Sequence, residues 1–339
     1  MSTDILEVRH LKTCFFTGRG VVKAVDDVNF NLRRGENLCL VGESGCGKTA
    51  TALSVLRLID SPPGKIVNGE ILYQGEDLLK CSNARLRQIR GNRIAMIFQD
   101  PQSSLNPVFN VGNQIAEQIE LHLRLGHRQT MQRTQHLMEQ VGIPRAAERM
   151  KDFPHQFSGG MRQRVMIAAA LSCDPEILIA DEPTTALDAT IKAQMLDIFR
   201  DLKQKRNMSI LFITHDMGMV ADIADRIVVM YGGRIAETGT VLDIFDQPKH
   251  PYTQGLLDCL PGTSITRERL TPIPGTISGL IDPIEGCIFH PRCSKRIPIC
   301  SQDKPQTVII SGEHTVACHL YSPPAMYQEK TMGITENAE

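Results

Sequence analysis

One segment constrains this chain more than any other: Gly42-Glu43-Ser44-Gly45-Cys46-Gly47-Lys48-Thr49 fits G-x-x-x-x-G-K-[ST], with a strand signal before it and a helix signal after it. Asn37–Val41 reads as a buried strand, and Ala52, Val55, Leu56 and Ile59 fall at i, i+3, i+4 and i+7, the spacing of a helix that packs one stripe on a sheet. Glycines let the intervening backbone curl so that its N–H groups point inward, while the helix N-terminus favours an anion. The expectation is a phosphate cradle built from Gly42, Ser44, Gly45, Cys46, Gly47 and Ala50. In it Lys48 would sit on β/γ-phosphates and the Thr49 hydroxyl on Mg²⁺.

A second part of the same chemistry lies further along, where the strand signal Ile177–Ala180 ends in Asp181-Glu182. Ligands in open α/β sheets bind at the carboxyl ends of the strands. Asp181 is therefore expected to hold the Mg²⁺ shell and Glu182 to polarise an attacking water as general base. The strand Ser209–Thr214 ends in His215, placed to contact the γ-phosphate and that water. Such strands alternating with helical-period segments mark an α/β fold with a largely parallel sheet. From about Val111 to Phe153 the pattern is helical, with Ile115, Ile119, Leu137 and Val141 on apolar faces, so a helical insertion is expected there. From about Asp246 onward Pro and Gly become dense, marking a boundary and a loop-rich module, and the polar tail after about Pro323 is expected to fray.

Length and composition limit the remaining options. A chain of 339 residues exceeds a typical single domain, which predicts one sizeable core with a smaller module attached. A net charge of -1 without a long Lys/Arg block gives no electrostatic footprint for nucleic acid. The run Arg85, Arg87, Arg90, Arg93 reads as a solvated helix face. The best apolar runs, Ile210–Ile213 and Ile227–Met230, are strand-sized, so any membrane role must come through partners. Met1-Ser2-Thr3-Asp4 lacks a signal-peptide start, which predicts a cytoplasmic protein. Six cysteines (Cys14, Cys39, Cys46, Cys81, Cys173, Cys259) are scattered and read as small hydrophobes. The last four, Cys287, Cys293, Cys300 and Cys318, crowd into a segment poor in apolar residues. Four thiolates there suit a [4Fe–4S] cluster or a structural Zn²⁺, and reduced structural cysteines are the third option; spacing does not separate the first two, although the missing C-x2-C knuckle counts against zinc.

Ahead of the Asp181-Glu182 strand stands Phe157-Ser158-Gly159-Gly160-Met161, in which Ser158 is a good N-cap and the glycines expose N–H groups of a helix from about Met161 to Leu171. With this phrase in place, about Ile5 to Gly239 resembles the nucleotide-binding subunit of the ATP-binding-cassette superfamily. The resemblance implies a P-loop NTPase (RecA-like) core over 1–245 with an antiparallel β subdomain and a helical subdomain at about 100–160, then a Cys-containing extension over 246–339. It implies that Ser158, Gly159 and Gly160 face the γ-phosphate of ATP bound by an opposite subunit in a head-to-tail dimer. Gln99 in Phe98-Gln99-Asp100-Pro101 looks like the Q-loop residue that contacts Mg²⁺ or water, and Asp188 in Ala186-Leu187-Asp188 looks like the D-loop. Phe15 or Phe16 would stack on adenine. Met161 departs from the family's usual Gln.

A narrower resemblance is to the subfamily that imports dipeptides, oligopeptides and nickel. It is carried by Gln99-Asp100-Pro101-Gln102-Ser103-Ser104-Leu105-Asn106-Pro107, Pro154-His155-Gln156-Phe157-Ser158-Gly159-Gly160 and His250-Pro251-Tyr252-Thr253. The tail phrase Phe289-His290-Pro291-Arg292-Cys293 is similar to ones carrying an iron–sulfur cluster. The resemblance implies a homologous ATPase partner, so a heterodimer, with two transmembrane permeases and an external substrate-binding protein, at the cytoplasmic face of the inner membrane. Residues from Asp100 to Pro107 would lie near the permeases. Two rivals are a cassette ATPase acting on DNA or ribosomes and a regulatory subunit that binds ATP without hydrolysing it. The first would carry a coiled-coil insertion or a second cassette, and Glu182 and His215 argue against the second.

Overall fold

The strands forecast from short apolar runs form the centre of one eight-stranded sheet in the computed structural model, which describes residues 3–100, 104–185, 189–260, 273–276, 281 and 284–322. Asn37–Val41 (β3), Ile177–Asp181 (β7), Ser209–Thr214 (β8) and Arg226–Tyr231 (β9) are buried at every residue, as strands covered on both faces must be. With Ile94–Ile97 (β6) they run parallel in the order β9-β3-β8-β7-β6. Their side chains divide by the two-residue period of a strand. Leu38, Leu40, Ile177, Ile179, Leu211 and Ile213 face one core, while Cys39, Val41, Leu178, Ala180, Ile210 and Phe212 face another.

The first of these cores is closed by a second, four-stranded antiparallel sheet. Asp4–Thr17 (β1) pairs with Gly20–Arg33 (β2) and with Gly64–Tyr73 (β4), and Glu76–Asp77 (β5) completes the order β2-β1-β4-β5. Leu6, Leu11, Val25, Val28 and Leu32 from this sheet pack with Ala52 and Val55 of the helix Lys48–Val55. The second core lies under the helices Val111–Leu123, His127–Gln140, Gly159–Ala170 and Ala189–Arg206, so the helical insertion is present where the periodicity places it. No helix among the described residues is long and apolar enough to cross a membrane.

Three local expectations differ from the structure. The helix after the cradle stops at Val55 rather than reaching Ile59, because Arg57 takes a left-handed φ of 52°. The carbonyls of Leu56 and Arg57 at that end accept hydrogen bonds from the Arg90 guanidinium at 2.5 and 2.8 Å. Arg90 and Arg93 consequently lie beyond the helix, which spans Asn83–Ile89; Arg85 and Arg87 are exposed on it, Arg85 paired with Glu76, while the exposed Arg93 pairs with Glu176. The C-terminal segment is also more than loops. Thr307–Ser311 (β11) and His314–Ala317 (β12) form a hairpin that extends the large sheet by pairing β12 with Arg234–Thr240 (β10), itself antiparallel to β9. Glu237 of β10, 0% exposed, anchors the junction. Its carboxylate accepts the Lys249 and His250 N–H groups at 2.7 and 2.9 Å and pairs with His314 Nε2 at 2.7 Å.

Candidate active site

Because β3, β7 and β8 are parallel neighbours in register, with Val41 beside Thr214 and Asp181 beside Ile213, their carboxyl ends emerge together. The glycine-rich turn, Asp181-Glu182 and His215 therefore meet at one edge. Two glycines are required by close backbone approach: a Cβ on Gly42 would lie 2.3 Å from the Met230 carbonyl oxygen, and one on Gly47 would lie 2.1 Å from that of Ala24. Both take left-handed φ, 152° and 106°. Lys48, 5% exposed, folds its ammonium into the turn and donates to the Gly42 and Glu43 carbonyls at 2.7 and 2.9 Å. Cys46 is buried beneath the turn, Gly45 is exposed, and Ala50 packs toward the core beside the antiparallel sheet.

The Glu182 carboxylate is held by three side chains. One carboxylate oxygen meets His215 Nδ1 at 3.0 Å, and the other accepts from Gln99 Nε2 at 2.9 Å and Thr185 Oγ1 at 3.0 Å. Burial works to raise this carboxyl, but the hydrogen bonds from His215 and Thr185 and the charges of His215 and Lys48 outweigh it and hold it below the usual glutamate range. Its backbone is strained, with φ at 46° and its N–H donated across to Ile213. Asp181 behaves oppositely. Burial pushes its carboxyl up to about 6, with Glu182 adding to the effect and the Thr49 hydroxyl, which donates to it at 3.3 Å, and Lys48 opposing it. A carboxylate buried with so little compensating charge, facing a hydroxyl, is a donor set in kind for a hard divalent cation such as Mg²⁺.

A pocket of about 420 Å³ is lined by Gly42, Glu43, Ser44, Gln99, Glu182 and His215, together with Met217 and, from the C-terminal segment, Leu256, Cys259 and Ile273. Several forecast residues lie elsewhere. Ser158 caps the helix Gly159–Ala170 by accepting from Met161 N–H at 3.4 Å, and neither it nor Gly159 or Gly160 lines this pocket. Phe15 packs over Gly64, whose added Cβ would come 3.0 Å from its ring, whereas Phe16 is 51% exposed; neither lines the pocket. Asp188 lies outside the described residues. Thr185 was not foreseen; its hydroxyl has no signature beyond standing three residues after Glu182.

The four C-terminal cysteines do converge. None is in a disulfide. Burial pushes the Cys287, Cys293 and Cys318 thiols up, Cys318 to about 11, and the neighbouring cysteines add to the effect in each case. Among the described residues, however, no set of three or more His, Cys, Asp or Glu side chains is arranged to hold a metal ion. The thiols thus fit a cluster or zinc in kind but not in arrangement.

Comparison with known proteins agrees with this geometry. Residues 25–185 match the family described as ABC transporter, and residues 236–300 match that described as oligopeptide/dipeptide transporter, C-terminal region. The chain is 47% identical over 316 residues to the dipeptide transport ATP-binding protein DppD of Bacillus subtilis, covering 93% of this chain and 94% of that protein. It is 48% identical over 324 residues to the oligopeptide transport ATP-binding protein OppD of the same organism, covering 95% and 90%. Among solved structures, the dimeric ATP-binding cassette MJ0796 bound to ADP and Pi shares the fold at a TM-score of 0.64 and 23% identity, covering 70% of this chain and 98% of that one. The cassette at residues 25–185, the C-terminal region at 236–300 and near-full-length identity to such subunits place this chain in the ABC transporter family, among ATP-binding subunits of the oligopeptide/dipeptide type.

Proposed function

We propose that this chain hydrolyses ATP to drive import of dipeptides or oligopeptides, or of a related solute such as nickel, through partner permeases. The observation that carries the ATPase chemistry is the Glu182 carboxylate, bonded to His215, Gln99 and Thr185 beside the glycine-rich turn. In this reading Gly42, Ser44, Gly45, Cys46, Gly47 and Ala50 wrap the phosphates, Lys48 neutralises them, and Thr49, Asp181 and Gln99 hold Mg²⁺. Bound there, the cation would supply charge neutralisation at the phosphate oxygens. Glu182 accepts the proton of the attacking water, and His215 fixes the carboxylate's orientation. Phe16, the more exposed of the two aromatics, is available to stack on adenine.

Ser158, Gly159 and Gly160 act in this reading on nucleotide held by a homologous partner subunit, with Asp188 at the same interface, which is why they stand apart from this chain's own pocket. The heterodimer works at the cytoplasmic face of the membrane with two permeases, and an external binding protein selects the solute. The relatives' names, dipeptide and oligopeptide transport ATP-binding proteins, favour peptide over nucleic acid as the cargo. Reconstitution tests this. Proteoliposomes holding this chain, its partner ATPase and the permeases, with binding protein and labelled peptide outside, should accumulate peptide only with ATP on the nucleotide-binding side. Equal accumulation without ATP would refute the motor reading.

Cys287, Cys293, Cys300 and Cys318 are assigned to a thiolate site, a [4Fe–4S] cluster in preference to Zn²⁺, because four thiols crowd a segment poor in apolar residues and the phrase Phe289-His290-Pro291-Arg292-Cys293 is similar to ones carrying such a cluster. A bound metal would reverse the raised thiol pKa values, since coordination favours thiolate. Anaerobically purified protein should contain about four iron atoms and absorb broadly near ~400 nm, and Cys293→Ser should lose both. A colourless protein with one zinc would replace the cluster by zinc, and metal-free protein would withdraw the site.

A further inference from the structure

Two polar side chains of the C-terminal segment, Arg292 and Tyr252, bond to the phosphate cradle at Glu43. Arg292, whose side chain is 6% exposed, donates from Nη1 and Nη2 to the two carboxylate oxygens of Glu43 at 2.6 and 2.9 Å. Its remaining donors are also taken: Nε bonds the Pro274 carbonyl at 2.7 Å, Nη2 the Ile273 carbonyl at 3.2 Å, and Nη1 the Tyr231 hydroxyl at 3.3 Å. Forked pairing of this kind fixes orientation as well as distance, which a lysine could not do. Glu43 is the second residue of the glycine-rich turn and is held at every polar group. Its carboxylate is bound by Arg292, its N–H donates to the Tyr252 hydroxyl at 2.8 Å, and its carbonyl accepts from Lys48. Tyr231, Tyr252 and Phe289 brace these contacts as a block of edge-packed rings with centroids 4.7 to 5.4 Å apart.

Two physical consequences follow for anything bound in the turn. A loop of glycines ordered beforehand loses less freedom when it closes on a ligand. In addition, a carboxylate beside a phosphate site repels its ligand unless paired, and Arg292 supplies the pairing charge. We propose that Arg292 is a positioning residue for nucleotide binding: acting through Glu43, it holds the glycine-rich turn in its phosphate-accepting shape, so that the C-terminal segment sets the affinity for MgATP. The proposal rests on the reading of Gly42–Thr49 as the phosphate cradle.

Equilibrium titration of the full-length chain with a fluorescent MgATP analogue, alongside thermal melting and turnover in the assembled complex, tests it. Arg292→Gln should weaken binding about tenfold, the scale of one lost charge-assisted contact, and Arg292→Lys should recover only part of this. Glu43→Gln, a gentler change, should weaken binding less, and the double variant should bind no worse than Arg292→Gln alone, because both act on one contact. KM for ATP should rise in step while kcat at saturating ATP stays within about twofold. A lowered melting temperature with unchanged nucleotide affinity, or additive losses in the double variant, would show a merely structural role and overturn the proposal. Lys48→Ala separates the layers: affinity lost there but intact in Arg292→Gln overturns the positioning role alone, whereas affinity intact in Lys48→Ala overturns the cradle and this proposal with it.

Discussion

Glu182→Gln in the assembled transporter should leave MgATP affinity within about twofold of the native protein and lower turnover by about 10²–10⁴-fold, the range a positioned general base contributes. The substitution preserves the size of the side chain and its place at the end of β7, where φ of 46° and the N–H bond to Ile213 are backbone properties untouched by it. What it removes is the capacity to accept a proton. The native carboxylate receives Gln99 and Thr185 on one oxygen and faces His215 Nδ1 with the other. An amide in that place can keep some of these bonds, so the fold and pocket should survive. Equilibrium binding and single-turnover hydrolysis, measured on the same preparation, separate affinity from chemistry. Normal single-turnover rates would refute the base assignment and leave His215 as the group to examine next.

That pair of measurements rests on residues that could be found in the chain before any coordinates, and the reason is geometric. Lys48, Asp181, Glu182 and His215 each follow a short run of residues buried on both sides, and the carboxyl end of such a run is where a parallel sheet gathers its ligand contacts. Local pattern sufficed because strand, turn and helix are contiguous. Contacts between distant segments leave no such trace. Arg292 and Glu43 are 249 residues apart, and nothing in either neighbourhood names the other. The β11–β12 hairpin is equally obscure, since no residue of its first strand is buried and Ile309 points into solvent at 74% exposure, where an apolar residue gives no core signal. The early end of the helix after the cradle is hidden for a related reason: Leu56 and Ile59 keep the apolar period, but the left-handed Arg57 and the Arg90 guanidinium that donates to the freed carbonyls are tertiary features. Phe15 and Phe16 are adjacent on β1 and therefore point to opposite faces. Periodicity alone could not say which was packed over Gly64 and which stood open.

Lys48→Ala should raise the dissociation constant for MgATP by about 10²-fold, corresponding to roughly 3 kcal/mol for charge-assisted hydrogen bonds to phosphate. The argument is one of charge in a confined place. Lys48 is 5% exposed, and its ammonium is bonded to the Gly42 and Glu43 carbonyls of its own turn, so it is held in position before any ligand arrives. Little freedom remains to be lost when an anion binds. Alanine removes that cation and with it a hydrogen bond to each of two carbonyls of the turn, the Glu43 carbonyl keeping only the Cys46 N–H, which loosens the loop that the glycines and Arg292 otherwise keep in shape. Both effects act on binding in the same direction. Isothermal titration at fixed Mg²⁺ and moderate salt measures the loss directly, and repeating it with ADP locates the charge. A larger loss for ATP than for ADP places Lys48 against the terminal phosphate, equal losses place it on phosphates the two nucleotides share, and unchanged affinity for both would remove Gly42–Thr49 from the nucleotide site altogether.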